Sequence, residues 1–231
     1  MDKDTFVIEL NKLGVEINKK QMEQLDQYYR LLVEWNEKIN LTRIIEEKEV
    51  YLKHFYDSIT LCKVINLDDK LTLLDIGTGA GFPGIVLKIV FPNLSVTLVD
   101  ALLKRVNFLN KVIETLELKN IRAVHFRAED YAKLHKDEFD IVTCRAVANL
   151  SKLLGYAMPL VNETGYFIPM KANCDEEIND AQVAINRLHS KIILKEEFEL
   201  PNYAGHRTLL KISKNNKKLK INAKKNSKEK E

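Results

Sequence analysis

The hydrophobic rhythm of the chain changes once, near residue 70. Before that point apolar side chains recur at helical spacing. In KKQMEQLDQYYRLLVEWNEKIN, residues 19–40, they fall at 22, 25, 28, 29, 32, 35 and 39. Steps of three and four place them on one face of a helix and leave charged residues on the other. Asn40-Leu41-Thr42 breaks the pattern and offers a cap for the next helix. Residues 46–65 resume helical spacing, with Val50, Phe55, Ile59, Cys62 and Ile65 on or near one side. The first residues, MDKDTFVIEL, are acidic and amphipathic and do not resemble a signal peptide. We expect residues 1–66 to form a helical cap that packs on a larger domain and does not fold alone.

From residue 71 the period shortens. Strand-like runs fall at 71–76, 95–100, 123–127, 139–144 and 166–170, with helical patterns at 84–91, 102–118, 150–161 and 175–190. Strands alternating with helices imply a parallel sheet covered on both faces. Two last strands, near 191–199 and 207–213, are joined by PNYAGH with no helix between them. That spacing predicts a hairpin, and so an antiparallel end to a mostly parallel seven-stranded α/β sheet over residues 67–213.

Composition narrows the setting. In 231 residues no apolar run approaches the roughly 20 needed to cross a bilayer, so no membrane association is expected. Cys62, Cys144 and Cys174 form neither a CxxC pair nor a metal-ligand spacing. An odd, scattered set suits the reducing cytoplasm and predicts neither disulfide nor metal site. The net charge of +3 is unevenly spread: residues 211–231 carry nine lysines and two glutamates, or +7, leaving 3 − 7 = −4 on the rest. Residues 214–231 therefore read as a basic, disordered tail, either merely solvated or a handle for a polyanion such as RNA.

The candidate chemistry lies in LTLLDIGTGAGFPG, residues 71–84, and in Asp100 at the end of the next strand. A buried strand entering a glycine-rich turn, with an acid at the tip of the following strand, is the layout of a nucleotide-cofactor site. Gly79-Ala80-Gly81-Phe82-Pro83-Gly84 spells GxGxxG, the dinucleotide string, but too far from the strand end at Ile76. Counted from Gly77, the third position is Phe82, too large for the helix–strand contact expected there. The alternative is DxGxGxG, from Asp75, Gly77, Gly79 and Gly81, as in methyltransferases that bind S-adenosylmethionine. Asp75 either bears on the cofactor's positive groups or braces the turn; we take bracing. Asp100 is placed to accept from both ribose hydroxyls. Ala128-Glu129-Asp130 follow the third strand, where an adenine edge would lie. Arg145 follows the fourth strand and would clamp a carboxylate, a phosphate or a base, or form a surface ion pair. Lys104 and Arg105 open a helix whose dipole disfavours cations. Either they face phosphate or they pair with local acids.

Together, LVEWNEKINLTRI, YLKHFYDSI, LLDIGTGAGFPGIVLKI, VDALLKRVNFL, RAED and CRAVA resemble the small-subunit (16S) ribosomal RNA guanine-N7 methyltransferases, long called glucose-inhibited division protein B. The resemblance spans about residues 20–213. It implies a Rossmann-like class I fold with an N-terminal helical extension, S-adenosyl-L-methionine as cofactor, and small-subunit ribosomal RNA or the assembling 30S subunit as partner. It assigns cofactor contacts to Gly77, Phe82, Ala128, Glu129 and Arg145, beside Gly79 and Asp100. It puts His54, Asp57, Ser58 and Lys171 toward the RNA side, although capping by Asp57 or Ser58 and a packed or solvent-facing His54 are the ordinary alternatives. The chain departs from the family in three places. Cys144 precedes Arg145, Pro169 sits before Met170-Lys171 and suggests a bulge or edge strand there, and the tail is rich in lysine and asparagine.

Guanine N7 has a free lone pair and no proton, so the resemblance implies a reaction without a general base. The chain is expected to act as a monomer. The rival readings are a nicotinamide-dependent oxidoreductase and a non-catalytic RNA-binding assembly factor.

Overall fold

The computed structural model of the chain describes residues 1–145 and 148–215. Helix α1 (Lys3–Lys12) is capped by Asp2, whose carboxylate accepts from the Thr5 N–H. The sequence pattern did not mark it as a separate helix. Helix α2 (Lys19–Ile39) opens with a capping box between Asn18 and Gln21 and closes at Asn40, which adopts the left-handed conformation at φ 49°. The Gln21 side chain also donates to the carbonyls of Ile89 and Val90, tying the start of α2 to the core.

The continuous helix expected over 46–65 is instead a chain of short turns. Helix α3 (Glu47–Val50) passes into a π-helical turn (Tyr51–Tyr56), then α4 (Asp57–Ile59) and a 3-10 turn (Thr60–Lys63). A π turn holds more residues per turn than an α-helix and so rotates the side chains beyond it. Tyr51, Leu52, His54, Phe55 and Tyr56 are all buried here, more than one α-helical face accommodates.

The core elements continue as β1 (Thr72–Ile76), α5 (Gly84–Val90), β2 (Ser95–Asp100), α6 (Leu103–Thr115), β3 (Ile121–His125), α7 (Ala128–Leu134), β4 (Phe139–Arg145), α8 (Leu150–Ala157), β5 (Val161–Lys171), α9 (Asp175–Asp180), α10 (Gln182–Arg187), β6 (Ser190–Glu199) and β7 (His206–Lys214). One seven-stranded sheet has the order β3-β2-β1-β4-β5-β7-β6. Pairs up to β4–β5 are parallel, and β5–β7 and β6–β7 are antiparallel. The order reverses between β1 and β4, and a ligand crevice forms at the carboxyl ends of strands at such a reversal.

Four expectations change. Helix α7 was not foreseen; with seven residues it shows too little periodicity to read. The helix expected over 150–161 ends at Ala157 because Val161 already pairs with Phe139. The pattern at 175–190 divides into α9 and α10 at Ala181. Pro169 lies in an interior strand, between β4 and β7, and not at an edge. The ladder to β7 pairs Phe167 with Ile212 and Met170 with Leu209 in one unshifted register, skipping residues 168–169, so the missing donor of Pro169 falls in a gap and no bulge is needed.

Along β1 the side chains alternate between the two faces of the sheet, as strand geometry requires. Leu73 joins a cluster that includes Phe6, Leu25, Tyr28, Leu32, Phe55, Ile85 and Phe108. Leu74 and Ile76 join Val142, Leu153, Leu154 and Ile185 on the opposite face. The first cluster runs without a break from the N-terminal helices to the sheet. Each fully buried Leu or Phe in it contributes about 1.5–3 kcal/mol of transfer free energy.

Candidate cofactor and substrate site

The turn after β1 is held by buried polar contacts. Gly77, Gly79 and Gly81 have φ of 64°, 61° and 98°, where a side chain would be strained. Asp75 is fully buried, and its Oδ2 accepts from Thr78 Oγ1 at 2.6 Å and from the Gly84 N–H at 2.9 Å. Asp75 therefore braces the turn by joining its two ends. Burial pushes this carboxyl up to about 6, against the two hydrogen bonds that favour the charge. The other oxygen, Oδ1, has no partner among the described residues.

The N-terminal helices reach into the same turn. The Tyr28 hydroxyl donates to the Ala80 carbonyl, and burial raises its pKa well above normal, so it remains a donor. Its ring packs 5.5 Å from Phe55, 5.6 Å from Phe82 and 6.5 Å from Phe108. A Cβ on Gly81 would stand 2.7 Å from the Tyr28 hydroxyl, whereas one on Gly79 would meet nothing nearer than the Gly77 carbonyl at 4.0 Å. Gly81 thus serves packing, and Gly79 keeps open space beside the turn.

Asp100, at the tip of β2, is buried against this turn. Its Oδ2 accepts from the Gly79 N–H and its Oδ1 from the Leu102 N–H, both at 2.9 Å. Arg105 approaches Oδ2 at 3.4 Å, so of its two possible roles it takes the pairing with a local acid. Lys104 is exposed. Ala128 and Glu129 open α7 beyond the tip of β3, and Glu129 is exposed. Large apolar side chains stand open nearby in sequence: Leu102 at 44 %, Leu103 at 54 % and Phe126 at 37 % exposure. Sequence reasoning missed them because nothing local distinguishes an apolar residue left open from one in the core. Glycines without Cβ atoms, a carboxylate bonded to the turn and flanking apolar side chains suit a nucleoside carrying an amino-acid moiety.

Arg145 emerges from β4 toward the N-terminal helices. Its Nη1 donates to the Lys53 carbonyl and to Asp57 Oδ2, both at 3.0 Å, and its Nη2 lies 3.0 Å from His54 Nδ1. Arg207 from β7 donates through Nε to Asp57 Oδ1 at 2.8 Å. Asp57, only 3 % exposed, thus bridges two arginines and caps no helix. Ser58 back-bonds to the His54 carbonyl at 2.6 Å. Arg145 lies over the Phe82 ring at 5.1 Å, and the His54 ring stacks on Phe82 at 4.4 Å.

His54 Nδ1 lies 3.1 Å from the Lys53 carbonyl as well as 3.0 Å from Arg145 Nη2. Arginine only donates and already serves that carbonyl through Nη1, so Nδ1 accepts and the ring proton sits on Nε2, 3.0 Å from Thr42 Oγ1. Burial, reinforced by Arg145, lowers the His54 pKa to about 3. His54 is therefore a packed, neutral ring with both nitrogens bonded. Lys171 is also engaged, with the Ala148 carbonyl at 2.6 Å and Glu177 at 2.8 Å. These residues line a cavity of about 480 Å³ together with Ile44, Met170 and Asn173. Arg207 and Glu177 were not legible in the sequence, since only the folding of β7 and α9 brings them beside β4.

Comparison with known proteins sets this geometry in a family. A family model described as "rRNA small subunit methyltransferase G", GidB, matches residues 21–200. The chain is 50 % identical over 208 residues to the "Ribosomal RNA small subunit methyltransferase G" of Staphylococcus saprophyticus, covering 89 % of this chain and 87 % of that protein. It is 49 % identical over 216 residues to the protein of that name from Lachnoclostridium phytofermentans, covering 92 % and 89 %. Among solved structures, a SAM-dependent methyltransferase from Aquifex aeolicus aligns with TM-score 0.55 at 18 % identity over 72 % of this chain and 93 % of that one. M. jannaschii TYW2 in complex with AdoMet aligns with TM-score 0.55 at 18 % identity, over 68 % and 76 %. These structures share the fold, which is that of the Rossmann-like methyltransferases. From the matches in sequence, the chain belongs to the rRNA small subunit methyltransferase G family.

Proposed function

We propose that the protein transfers the methyl group of S-adenosylmethionine to N7 of a guanine in small-subunit (16S) ribosomal RNA, acting as a monomer in the cytoplasm. The observation that carries this reading is the junction at Phe82. Phe82 follows the glycine turn proposed for the cofactor, and its ring packs against His54 and Arg145, which line the cavity proposed for a base, in a chain matched across residues 21–200 by an rRNA methyltransferase family. The oxidoreductase and assembly-factor readings find no support among the relatives.

On this reading Gly77, Gly79 and Phe82 border the cofactor, Asp100 accepts from the ribose, and Ala128-Glu129 lie at the adenine. Arg145 orients Phe82 and His54 beside the path from cofactor to base and leaves that path open; His54, Lys104 and Lys171 lie toward the RNA, while Arg105 is held by Asp100. S-adenosylmethionine supplies the electrophilic methyl group. The chain's own part is to hold the base in line and near contact distance while excluding water. N7 carries no proton, so the step needs no base, and His54, neutral with both nitrogens bonded, serves as wall. A single chain supplies both the turn and the cavity, which suits a monomer.

The test is labelled-methyl transfer to 30S subunits, and to naked 16S RNA, from a strain lacking the modification, followed by chemical mapping of 7-methylguanine. Label on another atom, or none, would overturn the reading. In calorimetry, Asp100→Ala should weaken S-adenosylmethionine by about 1.5–3 kcal/mol through lost charge-assisted hydrogen bonds; unaltered affinity would remove the ribose assignment.

A further inference from the structure

The cavity beside Arg145 holds four cations, Lys53, Arg145, Lys171 and Arg207, but only two carboxylates. Asp57 is consumed by its two arginines and is 3 % exposed. Glu177 is different. Its Oε2 accepts from the Leu150 N–H at 2.7 Å and from Lys171 Nζ at 2.8 Å. Its Oε1 has no hydrogen-bond partner among the described residues, and the side chain is 28 % exposed on the cavity wall. Two anchoring bonds on one oxygen fix the orientation of the other, which is the condition for selective recognition.

We propose that Glu177 selects guanine by accepting from its N1–H and its exocyclic N2 amino group. The inference rests on the guanine-N7 reading above and names how that site tells its base from others. N7 and the N1/N2 edge lie on opposite sides of a purine. With N7 turned to the side of the cavity lined by His54 and Arg145, the other edge turns to the segment after β5, which carries Asn173 and Glu177. The order of groups also matches. Lys171 Nζ lies beside the Glu177 carboxylate, a donor next to an acceptor, and guanine presents O6, an acceptor, next to N1–H, a donor. Adenine reverses both: its N1 lone pair would face the carboxylate, and its N6 amino group the ammonium. A site built to bond a substrate N–H rejects analogues that lack it, because its buried acceptor is then left unpaired.

The experiment compares kcat/KM on RNA carrying guanosine or inosine at the position the wild-type protein methylates. Inosine keeps N7, N1–H and O6 and lacks only the N2 amino group. Wild type should prefer guanosine at least about fivefold. Glu177→Gln is isosteric; it keeps an acceptor for Leu150 and turns an amide donor toward the base. The variant should lose most of its activity on guanosine, less on inosine, and bring the ratio near one, with S-adenosylmethionine affinity unchanged by calorimetry. An equal loss on both substrates, preserving the ratio, would show that Glu177 only holds Lys171 and α8, and would overturn the proposal. Should Glu177→Gln fail to fold, Glu177→Asp, which keeps the charge and withdraws the carboxylate by one methylene, replaces it with the same two outcomes, and a wild-type ratio near one overturns the proposal by itself. Absence of methyl transfer by wild type to guanosine RNA would overturn the functional reading itself, and this proposal with it.

Discussion

Replacing Asp57 by Asn removes one negative charge from between two arginines. In the structure each carboxylate oxygen takes one guanidinium, at 3.0 Å from Arg145 and 2.8 Å from Arg207. Asparagine can accept from only one of them, and its amide donors face the other. Breaking one partner of a buried ion pair costs about 3–5 kcal/mol. The arginine side chains are 16 % and 20 % exposed, so water partly compensates, and the lower end applies, about 3 kcal/mol. For a chain of this size that lowers Tm by about 6–12 °C. Differential scanning fluorimetry and urea unfolding measure it directly. The sharper test is a double-mutant cycle with Arg207→Gln. If Asp57 neutralises both cations, removing Arg207 relieves the variant, and the double substitution costs less than the two single ones summed. A Tm change below about 2 °C for Asp57→Asn, or strict additivity in the cycle, would refute the reasoning.

Three further outcomes are expected. Gly79→Ala should fold, at a strain cost of about 1–2 kcal/mol, and lose cofactor affinity in calorimetry because its Cβ enters the open space of the turn; Gly81→Ala should instead lower Tm by striking Tyr28 and Ile85, and the reverse pattern would undo the division of roles. Asp75 has a folded pKa raised to about 6 from an ordinary 3.8, so its contribution to stability is full below about 3.8 and lost as pH rises through about 6. His54, lowered to about 3, works oppositely, contributing above its ordinary 6.5 and losing that as pH falls toward 3. Subtracting the stability–pH curve of Asp75→Asn from that of wild type should therefore isolate a fall between about pH 4 and 6, and superimposable slopes would contradict it. Ending the chain after Asn215 removes seven lysines and two glutamates; it should weaken RNA binding and flatten log affinity against log salt, and an unchanged slope would separate the tail from RNA.

The alternation of strand and helix, the final hairpin, and the glycine turn with its acid were all legible in the sequence, because each is written in short-range periodicity or adjacent residues. DIGTGAG needs glycines at positive φ wherever the surroundings lie, and SVTLVD ends in its acid whatever packs on it. The resemblance carried the cofactor and the RNA class, which no periodicity encodes. The cavity beside Arg145 took shape only through long-range packing. Asp57 looks like a helix cap until β4 and β7 deliver Arg145 and Arg207 to its two oxygens. In the sequence His54 is equally a packed ring, a solvent-facing one or an RNA-side residue, until burial, Thr42 and Arg145 leave it neutral and fully bonded. Tyr28 reads as one more apolar position on α2, yet its hydroxyl holds the glycine turn. Glu177 is indistinguishable in DEEIND from its acidic neighbours. These roles depend on partners many residues away, and Coulomb and desolvation energies act through space, so the local pattern that writes a strand or a turn has no means of recording them.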